Sequence, residues 1–341
     1  MSAAFLSIAV QALLFSGTLE QSRHVAATPD VHGSIFAAPA LFPDNVERTV
    51  NISLACHGGH SRWGPEGSPK LPPKATVLIE HVAGYPSLVS RSLHSALVAQ
   101  GHRVCAYDRP GYAHTPQGYS PISPVTLERA LSSSLRSVGE GGPFFVVGHR
   151  SGAEYARLFA ALNRGSVIGM AFVYPTDMAL LSLLGHTQSE PVRVATARAM
   201  SDSRLLPEPG LGRLHLNAQR ALAALGTWLT SPPTISDTNI SSQPETEWAL
   251  SSPYLAQAQY FEMLQQPQLA QVIQKMDEPA DMRRKLPIIL LGVSADRIVQ
   301  KDYLAAVASN LDVVIADPRG LQPLSLTSVA RHISQHIALL H

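Results

Sequence analysis

The residues best suited to chemistry form one short segment, Gly148-His149-Arg150-Ser151-Gly152. A serine hydroxyl can act as a nucleophile when an imidazole accepts its proton, and both groups occur in this segment. The apolar run before it predicts a buried strand, and the alanine-rich run after it predicts a helix. In a strand–turn–helix, small residues two places on either side of the tip let strand and helix approach closely. The two glycines therefore place Arg150 at the tip, where a guanidinium offers no nucleophilic atom.

The segment resembles the nucleophile elbow of the α/β-hydrolase family, commonly written G-H-S-x-G, with Arg150 in place of the nucleophilic serine. A second segment, D-R-P-G-Y at residues 108–112, closely matches the family's D-R-P-G-Y/F-G loop, and it lies at the right distance before the elbow. The resemblance implies an α/β-hydrolase fold. We therefore expect a doubly wound, mostly parallel sheet with a helical lid inserted before the last two strands.

The resemblance also assigns the remaining catalytic positions. Asp296 follows a predicted strand and occupies the position of the triad acid, whereas Leu321 occupies the position of the general-base histidine. The oxyanion loop falls on His81 and Val82, together with Ser151, and Val82 stands where the family usually has a small residue. The acid of the triad is thus present, and its nucleophile and base are replaced.

Two interpretations of this degenerate triad are open. The first is a non-catalytic binding or interaction protein. The alternative is a serine hydrolase of esters or related carbonyl substrates with a rearranged triad, in which Ser151 is paired with His81 or His149. Moving the tip to Ser151 would put His149 and Ala153 at the two small positions, and the histidine would crowd the turn. This favours the first interpretation.

Arg150 lies at the start of the helix predicted after the elbow, where backbone N–H groups and the helix dipole favour negative charge. We expect its guanidinium either to pair with Asp296 or to bind a carboxylate or phosphate of a ligand. The internal pair is preferred, because a buried Asp296 without a partner would be costly. Apolar helix faces in the lid also imply a pocket, so the expected partners are small apolar or anionic ligands.

The predicted elements divide the chain into four parts. Residues 1–19 form an apolar signal or membrane anchor, 20–47 form a linker, 48–177 and 285–341 form the core, and 178–284 form the lid. The core is predicted to begin with an edge strand at residues 50–55, and the lid to include helices at 255–265 and 270–275. The closing helix carries His332 and His336, which the pattern assigns to a solvated face.

Composition excludes several classes of function. The 341 residues carry a formal net charge of +1 and no basic run, which argues against nucleic acid as a partner. No nucleotide or metal motif is present, so we expect no cofactor and no metal site. The two cysteines, Cys56 and Cys105, predict no disulfide framework, and a buried thiol is the favoured interpretation of Cys105.

The location of the protein is predicted from its N-terminal segment. Residues 2–19 contain no charged side chain, which favours a secretory or membrane-anchored protein with membrane association through this segment. Two N-x-S sequons, at Asn51 and Asn239, agree with a lumenal body. Arg23 and His24 follow the apolar segment and weakly favour the other expectation, a cytoplasmic body.

Overall fold

The fold is an eight-stranded sheet with helices on both faces. The computed structural model describes residues 34–59 except 43, 75–175 except 114, 117 and 119–121, 249, 255–276, 286–293, 308–315 and 325–340. Its strands are β1 (Ser34–Leu41), β2 (Glu47–His57), β3 (Thr76–Glu80), β4 (Arg103–Asp108), β5 (Phe144–His149), β6 (Val167–Val173), β7 (Leu286–Val293) and β8 (Ala308–Ile315). They lie in the order β1-β2-β4-β3-β5-β6-β7-β8.

Strands β1 and β2 pair with their neighbours in antiparallel fashion, and strands β3 to β8 pair in parallel. The described helices are a 3-10 turn (Ser87–Ser90), α1 (Arg91–Ala99), α2 (Pro124–Ser137), α3 (Gly152–Leu162), α4 (Leu255–Met276) and α5 (Leu326–Ala338). Helices α1 and α5 contribute to the core on one face of the sheet, and α2, α3 and α4 to the core on the other. The mostly parallel, doubly wound sheet predicted from the sequence is therefore confirmed.

The parallel strands are nearly continuous apolar runs because helices cover both of their faces. Strand β5, for example, buries Phe144, Phe145, Val146 and Val147 alternately in the two core clusters. Its carboxyl end delivers the elbow to the same edge of the sheet as the loops after β3 and β4. This edge is where α/β sheets place their ligands.

The prediction of a linker at residues 20–47 is wrong for part of this range. Residues Ser34–Leu41 form β1, the edge strand of the sheet. Ala38 and Ala40 point inward, whereas Pro39 and Leu41 point outward. Because both sides of the strand carry small or apolar residues, hydropathy does not display the two-residue period. The strand predicted at residues 50–55 exists, but it lies inside the sheet as part of β2.

The buried thiol predicted for Cys105 is also wrong, since Cys56 and Cys105 form a disulfide. Strands β2 and β4 are antiparallel in a register that puts the two cysteines directly opposite each other, with their Cα atoms 4.1 Å apart. Chain spacing alone could not reveal this register, because the two cysteines are 49 positions apart in the sequence.

Two helix predictions need correction. The segments predicted at 255–265 and 270–275 form one continuous helix, α4. His336, assigned to a solvated face, is buried, and its ring packs edge-on against Phe145. The rest of the predicted lid and the segment 1–19 lie outside the described residues. Among the described helices, none combines the length and apolar character that crossing a membrane requires.

Candidate functional site

The turn between β5 and α3 has the strained geometry that its sequence predicts. Arg150 at the tip has a φ of 52°, in the left-handed region that costs an ordinary side chain about 1–2 kcal/mol. The turn is held there by the Arg150 N–H, which donates to the Val173 carbonyl at 2.9 Å, and by the Ala153 N–H, which donates to the Arg150 carbonyl at 3.1 Å. The neighbouring strand β6 and the first turn of α3 thus hold the tip in place.

The two glycines of the elbow are sterically required. A Cβ atom on Gly148 would overlap the backbone of Ala153, and a Cβ atom on Gly152 would overlap the carbonyl oxygen of Glu80 at the end of β3. Real Cβ atoms do not approach backbone atoms so closely. The close approach of strand and helix predicted from the glycine spacing is therefore present.

The hydroxyl of Ser151 accepts a hydrogen bond from the loop after β3. Ser151 is only 8% exposed, and its Oγ accepts a hydrogen bond of 2.8 Å from the backbone N–H of Ala83. In α/β hydrolases the loop after β3 donates an N–H to the reacting oxyanion. Here one N–H of the loop after β3, that of Ala83, already donates to the Ser151 hydroxyl.

The two histidines considered as partners of Ser151 do not reach it. His81 is fully buried, and its Nδ1 lies 3.2 Å from the Val82 carbonyl and 3.5 Å from the Arg109 guanidinium. Burial and the charge of Arg109 hold the pKa of His81 well below its ordinary value. Burial, followed by the charge of Arg150, lowers the pKa of His149 to about 4. Within the described residues, neither imidazole hydrogen-bonds the Ser151 hydroxyl.

Arg150 is partly buried, and no ion pair joins its guanidinium to an acidic side chain in the described part of the chain. Its N–H and C=O groups are used by the turn, and the residue directly precedes Ser151, the N-cap of α3. Asp296 and Leu321, the positions assigned to the triad acid and to the lost base, lie outside the described residues.

A group of buried ionisable side chains, the buried acid cluster, lies next to the elbow. It consists of Glu80, Tyr107, Arg109, Glu128 and Glu262. Arg109, 2% exposed, ion-pairs with Glu262 of α4 at 2.8 Å and donates to the His81 carbonyl at 2.8 Å. The carboxylate of Glu262 also accepts from the Gly84 N–H at 2.8 Å and from the Tyr112 hydroxyl. Glu262 therefore ties helix α4 to the loops after β3 and β4.

The other two carboxyls of the cluster share one phenol. The Tyr107 hydroxyl lies 2.7 Å from Glu80 and 3.5 Å from Glu128, and both acids are fully buried. Burial raises the pKa of Glu80 to about 7, against the opposing effect of Arg109 at 3.6 Å. Burial and then the charge of Glu80 raise the pKa of Glu128 well above its ordinary value. The single guanidinium of the cluster, that of Arg109, therefore does not offset the effect of burial on the pKa values of Glu80 and Glu128.

A cavity of about 40 Å³ lies beside this cluster, lined in part by Arg109, Tyr112, Tyr155, Phe261 and Glu262. It is large enough for a few water molecules but well below the roughly 300 Å³ of a typical small-molecule pocket. Within the cluster, Arg109 Nε is buried and has no hydrogen-bond partner among the described residues.

One trio of side chains in the described part of the chain has metal-ligand spacing, namely Cys56, Cys105 and Glu140. The two sulfurs are joined in the disulfide. The Glu140 carboxylate accepts from Arg103 Nε and from the Thr76 hydroxyl, both at 2.9 Å. In this oxidised state the trio therefore offers no thiolate ligand, and its carboxylate is already paired.

Sequence reasoning noted Arg109 as part of the D-R-P-G-Y segment and did not identify its partner. Glu262 is 153 positions away and lies on a helix whose orientation no local pattern fixes. Glu80 gave a weak signal that could have been used, because it is a charged residue at the end of the apolar run Val77-Leu78-Ile79.

Comparisons with solved structures identify the fold. The chain is similar to an esterase from Thermogutta terrifontis (TM-score 0.57, 14% identity, covering 91% of this chain and 100% of that one). It is also similar to a putative epoxide hydrolase from Pseudomonas aeruginosa (TM-score 0.58, 15% identity, 92% and 98% covered). A haloalkane dehalogenase variant from Bradyrhizobium elkanii gives a TM-score of 0.54 at 14% identity, with 91% and 96% covered. The protein has an α/β-hydrolase fold.

Sequence comparisons are less informative. No protein-family model matches the chain. An uncharacterized protein of Schizosaccharomyces pombe is 35% identical over 71 residues, which span 21% of this chain and only 13% of the yeast protein.

Proposed function

We propose that this α/β-hydrolase-fold protein is a non-catalytic binding protein whose elbow recognises an anionic group. The observation that carries the proposal is the elbow, in which Arg150 holds the strained tip and Ser151 is bonded to the Ala83 N–H of the oxyanion loop. Acyl transfer on this fold needs a hydroxyl nucleophile activated by an imidazole. In this elbow the tip side chain has no hydroxyl, and within the described residues no imidazole hydrogen-bonds the neighbouring Ser151 hydroxyl.

An anionic ligand fits the charge at the tip. The start of α3 presents backbone N–H groups and the positive end of the helix dipole, and Arg150 adds a full positive charge to them. Guanidinium groups bind carboxylates and phosphates through paired N–H donors. His149 lies beside the tip, and because its pKa is about 4 it is neutral at pH 7. Arg150 therefore supplies the positive charge of the elbow.

The catalytic half of the proposal is tested by hydrolysis of short and medium acyl p-nitrophenyl esters. We expect the wild-type chain and Ser151→Ala to be equally inactive. The double variant Arg150→Ser, Leu321→His restores the two residue types that the family uses, and we expect it to gain activity. Wild-type activity that disappears in Ser151→Ala would instead support a serine hydrolase with a rearranged triad.

The binding half is tested by thermal unfolding with inorganic phosphate and with octanoate. A ligand at 100 times its Kd stabilises the folded state by about 2.7 kcal/mol. We expect the unfolding temperature of wild type and Arg150→Lys to rise with ligand, and that of Arg150→Gly to remain unchanged. Arg129→Gln removes an exposed charge elsewhere and should respond like wild type. An undiminished response of Arg150→Gly would contradict anion binding at the elbow.

A further inference from the structure

Strand β2 carries an N-glycosylation sequon whose asparagine points away from the core, while its serine, Ser53, is buried. The sequence Asn51-Ile52-Ser53 has the N-x-S pattern. Val50, Ile52 and Leu54 are buried in the core, and successive side chains of a strand point to opposite faces, so Asn51 points away from that core. Its side chain is accordingly only partly buried.

The sheet neighbours of Asn51 are few and small. Its partner across the antiparallel pair is Ala37 of the edge strand β1, which is small and exposed. On the other side, the pairing of β2 with β4 begins at Ser53, so Asn51 lies on the part of β2 that extends past β4. A sugar on the Asn51 amide would therefore meet neither a bulky neighbour on β1 nor a paired residue of β4.

The same strand carries an independent sign of an oxidising environment. Cys56 is joined to Cys105, and these are the only two cysteines of the chain, so both are consumed by the bond. Disulfides persist in secretory and extracellular compartments and are rare in the cytosol. The endoplasmic reticulum lumen, where disulfides form, is also where a sequon can be glycosylated.

We propose that Asn51 carries an N-linked glycan, attached in the oxidising compartment that also joins Cys56 to Cys105. In the transfer, the Asn51 amide nitrogen bonds to C1 of an oligosaccharide carried on a lipid diphosphate. The amide loses one proton, and the C1–oxygen bond breaks to release the lipid diphosphate. In the oxidation, the two thiols give two electrons and two protons to the disulfide of an oxidant protein, which becomes a dithiol.

The test is expression of the full chain in a eukaryotic cell, followed by treatment with a peptide N-glycosidase. The Asn239→Gln background removes the other sequon considered in the sequence, so that remaining glycan belongs to Asn51. In this background we expect a glycosidase-sensitive loss of mass. The further changes Asn51→Gln and Ser53→Ala should each abolish it. Ser53→Thr keeps an N-x-T acceptor at the same place and should retain it.

The disulfide is measured on the same material. The protein is unfolded in denaturant and its free thiols are labelled with a polyethylene glycol maleimide. We expect no added label before reduction and two labels afterwards. Absence of glycosidase-sensitive mass in the Asn239→Gln background would overturn the assignment of Asn51. Two labels without prior reduction would overturn the oxidising compartment.

Discussion

The elbow and the buried acid cluster meet at Glu80, yet different forces fix them. At the elbow the constraint is steric, because Gly152 is pressed against the backbone carbonyl of Glu80. In the cluster the constraint is electrostatic, because the Glu80 side chain accepts a hydrogen bond from Tyr107 and ion-pairs with Arg109. One residue thus contributes its backbone to one region and its side chain to the other.

This difference explains how the elbow can keep its shape with a changed tip. At Gly148 and Gly152 an added Cβ atom would overlap backbone atoms. This steric constraint does not depend on which side chain stands at position 150. The acid cluster tolerates less, because removing one member leaves a buried charge or an unpaired polar atom. We therefore expect substitutions in the cluster to be costly whatever the protein binds, whereas the tip side chain can change with little effect on folding.

The largest effect is expected from Gly152→Ala. The added Cβ overlaps backbone that cannot move away as a flexible side chain could, so we expect a loss of more than about 4 kcal/mol in the free energy of unfolding. Gly165→Ala is the matched control, since its Cβ would meet nothing within 4 Å, and it should stay within about 0.5 kcal/mol of wild type. Urea unfolding measures both. A tolerated Gly152→Ala would show that the elbow is not sterically fixed.

Arg109→Met is the next largest change. It removes the partner of the buried Glu262 carboxylate and should cost about 3–5 kcal/mol. The double variant with Glu262→Gln removes the abandoned charge as well, so its loss should be smaller than the sum of the two single losses. Additive losses in this double-mutant cycle would mean that the two side chains do not act as a pair.

Stability should depend on pH through Glu80. Its pKa in the folded protein is about 7 against an ordinary 4.5, so between these values the unfolded carboxyl is ionised while the folded one keeps its proton. The contribution of the protonated Glu80 to the free energy of unfolding is fully present below pH 4.5. It is lost as the pH rises through the folded pKa near 7. The fall is on the order of 3 kcal/mol, at about 1.4 kcal/mol for each pKa unit.

Unfolding by urea at a series of pH values tests this dependence. Glu80→Gln resembles the protonated acid and should flatten the curve over this range. Glu47→Gln, at an exposed position of β2, is the control and should leave the slope as in wild type. An equal slope in wild type and Glu80→Gln would assign the pH dependence to other groups.

A smaller effect of opposite sign is expected at the tip of the elbow. Arg150→Gly relieves the left-handed backbone and should raise the free energy of unfolding by up to about 1 kcal/mol. The same change at Arg129, an exposed position inside α2, should lower it by about 1 kcal/mol, because glycine is unfavourable within a helix. Thermal unfolding of both variants gives the comparison, and a destabilised Arg150→Gly would mean that the guanidinium itself stabilises the fold.

The smallest effect is expected from Ser151→Ala. The variant loses the hydrogen bond from the Ala83 N–H, which contributes about 1 kcal/mol. Ala83 also becomes free to donate to a ligand. Unfolding by urea measures the cost, and a loss well above this value would indicate that Ser151 has additional partners in the folded protein.

Much of the elbow was predictable because its determinants are local. Two glycines four positions apart, an apolar run before them and an alanine-rich run after them are enough to specify a strand, a strained tip and a helix. The partners of the tip were not predictable in this way. The bond between Ser151 and Ala83 joins residues 68 positions apart, and only the pairing of β3 with β5 brings them together.

Local sequence patterns were enough to predict the alternation of strands and helices around the elbow, the close approach at Gly148 and Gly152, and the replacement of a serine by Arg150, because each depends on neighbours along the chain. The edge strand β1, the Cys56–Cys105 disulfide and the pairing of Arg109 with Glu262 became evident only in the folded protein. Each of these depends on strand register or helix placement, which many distant contacts set together. A register shift of one residue would reverse the faces of a strand and separate such partners, and no local pattern records it.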